Sequence, residues 1–140
     1  MIIKVRRTER IARARRVQHQ IASARVAVAR HHAHQLSGNE ATIDAMRDSL
    51  AMPSGLYPSS AIARSFELQN RLDDAADVIR QSIAVAEREI ARLESIRQKQ
   101  EIAEIAAAKL HRRSEHHATE KLESLYTQSA GYHRARKPAS

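Results

Sequence analysis

The chain lacks cysteine and tryptophan, and it has only three glycines, three prolines and four aromatic residues in its 140 positions. Without cysteine there are no disulfides and no thiolate metal sites. Without more aromatics than Tyr57, Phe66, Tyr126 and Tyr132, a thick core cannot be filled at crystal-like density. No run of about 18 apolar residues exists, so no transmembrane helix is expected. No apolar stretch of the length of a secretory leader follows Met1, so secretion is not expected. Nothing resembles a glycine-rich phosphate loop, a nucleophile–base pair or a pocketed carboxylate pair, and catalysis is not expected.

What remains is Ala, Ile, Val, Leu and charge. The formal net charge is +8. It is unevenly spread. Residues 1–36 carry nine Lys or Arg against the single acid Glu9. Residues 37–108 carry eight bases and twelve acids, and residues 109–140 carry seven bases and three acids. The two ends are basic and the middle is acidic.

The strongest periodic stretch is Ile62–Leu93. Ile62, Ser65, Gln69, Leu72, Ala76, Ile79, Ile83, Ala86, Ile90 and Leu93 are spaced 3 and 4 in strict alternation. That average of 3.5 keeps one seam toward a partner helix, as in a left-handed coiled coil. Charges of both signs lie between the seam positions and form a solvated face.

Before it, Ala14, Val17, Ile21, Ala24 and Val28 repeat the spacing. The pattern resumes at Leu36, Ile43, Met46 and Leu50, one residue out of phase, with a weak point expected at Gly38. This predicts a first helix over about 3–51. The segment Met52-Pro53-Ser54-Gly55-Leu56-Tyr57-Pro58 cannot continue a helix, and Ser59 or Ser60 offers a capping hydroxyl for the next. A second helix over about 60–130 follows, with a frayed tail from Gly131. After Leu93 a slip in register is expected, because Arg97 and Gln100 take the next seam positions. The predicted fold is all-α: one long antiparallel two-helix coiled-coil hairpin, with the second helix longer than the first. A turn over 52–59 sets residue i beside residue 111 − i. That leaves a basic overhang from about His111.

Several chemistries compete for the basic ends. Clustered arginines suit phosphates, so a basic nucleic-acid-binding module is the alternative function. No aromatic platform or strong dimer zipper accompanies them, and an acidic complement lies within the chain, so specific nucleic-acid binding is not expected. An Arg-rich, acid-poor opening also suits a transit peptide, but seam spacing already starts inside it. His31 and His34, one turn apart, lack nearby Asp, Glu or Cys, and solvated surface accounts for them better than a metal site. No metal or cofactor is expected. Scaffolding by self-association is a third possibility, with the closed monomer preferred.

The order of parts carries a resemblance. A basic first helix, a Pro/Gly/Ser break and a longer second helix contain Leu68-Gln69-Asn70-Arg71-Leu72-Asp73-Asp74-Ala75, then Lys109-Leu110-His111-Arg112-Arg113-Ser114-Glu115 and Glu120-Lys121-Leu122-Glu123-Ser124-Leu125. Over nearly its whole length the chain resembles the flagellar export protein family FliJ and its type III secretion relatives. It departs from them in its many Ala and His and its acid-poor first helix. The resemblance implies a cytoplasmic, non-enzymatic stalk or escort at the membrane export apparatus. Its end with both termini would enter a hexameric export ATPase, and it would contact the export gate membrane protein and export chaperones. The residues implied for the ATPase are Arg6, Arg7, Arg10, Arg13, Arg112 and Arg113. Those implied for the gate are Met46, Leu68, Leu72 and Ala75.

Overall fold

In the computed structural model the described residues are 2–50 and 59–135, with side chains described for 2–50 and 60–131. Two α-helices account for all of them: α1 (Ile2–Leu50) and the longer α2 (Ser59–Ala135). They form the antiparallel helical hairpin expected from the heptads. The expected turn at 52–58 and the residues beyond Ala135 lie outside the described residues. The expected tail begins too early, since α2 continues past Gly131 to Ala135.

The chain divides into two units, Met1–Ala22 with Arg97–Ser140 and Ser23–Ile96. In the first unit, Thr8 Oγ1 and His111 Nδ1 are 3.0 Å apart, and His19 Nδ1 stands 2.5 Å from Glu104 Oε2. In the second, ion pairs join Arg30 to Glu94 at 2.6 Å, Glu40 to Arg80 at 3.6 Å and Arg47 to Asp73 at 2.7 Å. Residue i therefore stands opposite about 120 − i, which corrects the register of 111 − i. That register placed the helices flush at the turn. The observed one places charged side chains beside opposite charges.

The seam of α1 is Val5, Thr8, Ala12, Arg15, His19, Ala22, Val26, Ala29, Ala33, Leu36, Glu40, Ile43, Arg47 and Leu50. All but Arg15 are buried or half-buried. The alternation of 3 and 4 is unbroken, and Gly38 neither kinks nor interrupts it. The expected seam at Ala14, Val17, Ile21, Ala24 and Val28 is instead exposed, as is Met46. The apparent phase change near Gly38 is a passage from this outer stripe to the true seam.

The seam of α2 is correct from Ser65 to Leu93, while Ile62 is exposed. It does not slip after Leu93. Arg97, Gln100, Glu104, Ala107, His111, Ser114 and Ala118 continue it, all at least half-buried. Off this seam, Ile102, Ile105 and Leu110 are exposed and Ile96 is half-buried.

Apart from Leu93 the buried apolar residues are small: Ala22 and Ala107 in the first unit, and Val26, Ala76 and Ala86 beside Leu93 in the second. No large side chain is fully buried among the described residues. Small seam residues let helix backbones approach closely, which is how a chain poor in aromatics closes a seam.

Gly38 is exposed, and a Cβ built there meets nothing within 4 Å. Gly38→Ala is therefore expected to stabilise the protein by about 1 kcal/mol. Chemical denaturation followed by circular dichroism checks this; an unchanged or lower stability would place a conformational demand on Gly38 that an unbroken helix does not make.

Candidate interaction surfaces

The first unit has a polar seam. A carboxylate only accepts hydrogen bonds, so Nδ1 of His19 carries the proton donated to Glu104. The other ring nitrogen, Nε2, and Gln100 Oε1 are both buried without a hydrogen-bond partner among the described residues. In the neutral ring both are acceptors and cannot satisfy each other. Two to three turns further along the seam, at about 3.6 residues per turn, His111 touches Thr8 and lies 3.3 Å from Glu115 Oε1. The Thr8 hydroxyl donates to Val5 O at 2.9 Å. Buried polar atoms without partners weaken a seam.

Around this seam the surface is basic. Arg6, Arg7, Arg10, Arg13, Arg112 and Arg113, the residues the resemblance implies for an ATPase, are all exposed and all belong to the first unit. The Thr8–His111 contact brings the two groups to the same level of that unit. Arg13 donates to Glu9 at 2.6 Å. Arg113 and Lys4 line a groove of about 190 Å³ with Val5, Leu110, Ser114 and His117.

The overhang differs from expectation in place. His111 is paired, and half-buried positions persist to Ala118. The exposed stretch is Thr119–Gly131, whose charges are Glu120, Lys121 and Glu123. Its described part is not basic. Leu122, Leu125 and Tyr126 are exposed on it.

The residues implied for an export gate all lie in the second unit. Met46 and Leu68 are 50% and 47% exposed, whereas Leu72 and Ala75 are half-buried. The Arg47–Asp73 pair sets Met46 and Leu72 at one level. Leu72 is thus a seam residue, and Met46 and Leu68 are free for a partner. Further along α2, Arg92 donates twice to Glu89, at 2.6 and 3.0 Å. These hydrogen bonds hold the Glu89 carboxyl below the usual range and raise the Arg92 guanidinium.

Among the described residues no three His, Asp or Glu side chains gather closely enough to hold a metal ion. None of the described helices is long and apolar enough to cross a membrane. No family model matches the chain, and no curated protein or solved structure does either.

Replacing the His19–Glu104 pair by leucines removes two polar groups from the seam. The His19→Leu, Glu104→Leu double variant is expected to be at least as stable as the native chain, by up to about 4 kcal/mol. Glu104→Leu alone leaves His19 without its acceptor and is expected to cost about 1–3 kcal/mol. Thermal unfolding of the three proteins gives the order, and a double variant less stable than the single one would contradict it.

Proposed function

We propose that the chain is a non-enzymatic stalk or escort protein of a flagellar or type III export apparatus, which binds the export ATPase ring and the export gate. The observation that carries this reading is the clustering of six exposed arginines in the unit that holds both termini. A hairpin whose second helix outruns the first presents such a surface at one end of the seam. A basic surface steers association with an acid-lined ring and makes it sensitive to salt. The polar seam beneath it also favours this reading, because a loosely satisfied helix pair adapts to a partner more readily than an apolar one. Exposed Met46 and Leu68 offer the second unit a separate apolar contact for the gate. In this reading the protein is cytoplasmic and monomeric, and export chaperones are further partners.

The test is direct binding of the purified chain to the hexameric export ATPase of its own cell, at low and at physiological salt. Binding at both is expected, weaker at the higher. The Arg6→Glu, Arg7→Glu, Arg10→Glu variant is expected to bind at least about tenfold more weakly. Absence of binding at both salts would overturn the proposal. Sequence-discriminating binding to duplex nucleic acid would replace it with the nucleic-acid reading.

A further inference from the structure

The side of α1 turned away from its seam has a repeat of its own. Within the first unit its positions are Ile3, Arg7, Arg10, Ala14, Val17 and Ile21, again spaced by 4, 3, 4, 3 and 4. All six are exposed; Ile3 is 82%, Val17 51% and Ile21 49% exposed. One helix thus carries two stripes with the same seven-residue period. A second stripe of that period follows the supercoil already imposed by the first, so one further helix can lie along it without distortion.

The flanks of this outer stripe fix the chemistry of its occupant. They are Lys4, Arg6, Arg13, Gln18 and Gln20, with the exposed Ile11 among them, beside Arg7 and Arg10 on the stripe itself. The one acid of this stretch, Glu9, is engaged by Arg13 at 2.6 Å. Arg6, Arg7, Arg10 and Arg16 have no carboxylate within 4.0 Å among the described residues. A second copy laid parallel on this face would set arginine against arginine, and an antiparallel one would set Arg7 and Arg10 against Val17 and Ala14, so neither brings carboxylates to the arginines. A lipid surface takes up basic helices through bulky Trp, Phe or Leu anchors, and α1 has no aromatic residue and exposes only small or β-branched ones here. A helix with acids on its flanks meets both the apolar and the charged parts of the face.

We propose that the outer face of α1, from Ile3 to Ile21, docks an acidic amphipathic helix of another protein. Its apolar residues, spaced 3 and 4, cover Ala14, Val17 and Ile21, and its Asp or Glu side chains meet Arg6, Arg7, Arg10 and Arg13. This makes a local three-helix arrangement in the helix-in-groove manner. The site shares Arg6, Arg7, Arg10 and Arg13 with the surface proposed for the ATPase ring but does not rest on that reading, since any acidic helix of this pattern qualifies.

The test uses the full chain and a fluorescent, capped helical peptide of about 20 residues, roughly 30 Å when helical. The peptide carries Leu at heptad spacing and Glu on both flanks; a second peptide has Lys in place of Glu. Fluorescence anisotropy is expected to show saturable binding of the Glu peptide and none of the Lys peptide. The Val17→Asp, Ile21→Asp variant changes exposed positions only, and its fold is checked by circular dichroism. It is expected to weaken binding at least tenfold, whereas Val78→Asp, Val85→Asp, at exposed positions elsewhere, leaves binding unchanged. Failure of the Glu peptide to bind, or equal binding to both double variants, would overturn the proposal. So would self-association, or binding to phosphatidylglycerol vesicles, that the Val17→Asp, Ile21→Asp change abolishes, because the face would then belong to a second copy or to a membrane.

Discussion

A seam with a strict seven-residue repeat can slide by seven residues without moving any residue off it. What opposes the slide in this chain is the need of its polar seam residues for partners. In the observed register His19 reaches Glu104 and Thr8 reaches His111 in the first unit, while Glu40 reaches Arg80 and Arg47 reaches Asp73 in the second. A slide of seven toward the turn would set Arg15 opposite Arg97 and Glu40 beside Asp73. Both are like-charge contacts, and the second joins two half-buried carboxylates. Apolar burial holds these helices together, and charge decides which of the allowed registers they take.

The same constraint gives the two units different characters. The second unit closes on Val26, Leu36, Ile43, Leu72, Ile79, Ile83, Ile90 and Leu93, with charges mainly at its margins. The first closes on Ala12, Ala22 and Ala107 around Thr8, His19, Gln100, Glu104 and His111, and leaves two buried side-chain atoms without hydrogen-bond partners, against one, Asp73 Oδ1, in the second. It is also the unit with most of the unpaired arginines and with the exposed outer stripe of α1. A weak seam under a basic surface is a poor way to build a free-standing hairpin. It is a good way to build one that gains its remaining contacts from another protein.

The all-α hairpin and the α2 seam from Ser65 to Leu93 were legible because apolar spacing and seam coincide there. In α1 they do not. Val17, Ile21 and Val28 are more apolar than Thr8, Arg15 and His19, so hydrophobicity points to the outer stripe, and the true seam is visible only from Leu36 onward. Past Leu93 the same cause misleads in reverse: Ile102, Ile105 and Leu110 draw attention from Arg97, Gln100 and Glu104. Unbroken 3–4 counting from Leu93 would have found the α2 seam, and counting back from Leu50 would have found that of α1. The register was not legible from apolar positions at all. It needed the partners of individual charges. The basic cluster at Arg6–Arg13 and Arg112–Arg113 was legible as a group, but the end of pairing near Ala118 was not, since it depends on that register.

Cysteine cross-linking within the first unit tests the register most directly. Ala12 and Ala107 lie on the two seams one turn from the Thr8–His111 contact. The Ala12→Cys, Ala107→Cys variant is predicted to form an intramolecular disulfide readily under mild oxidation. The Ala12→Cys, Gln100→Cys variant, which matches the seam slid by seven, is predicted to stay reduced or to link between chains. Efficient cross-linking of the second pair with none of the first would show that the helices take the slid register, and that polar pairing does not choose between them.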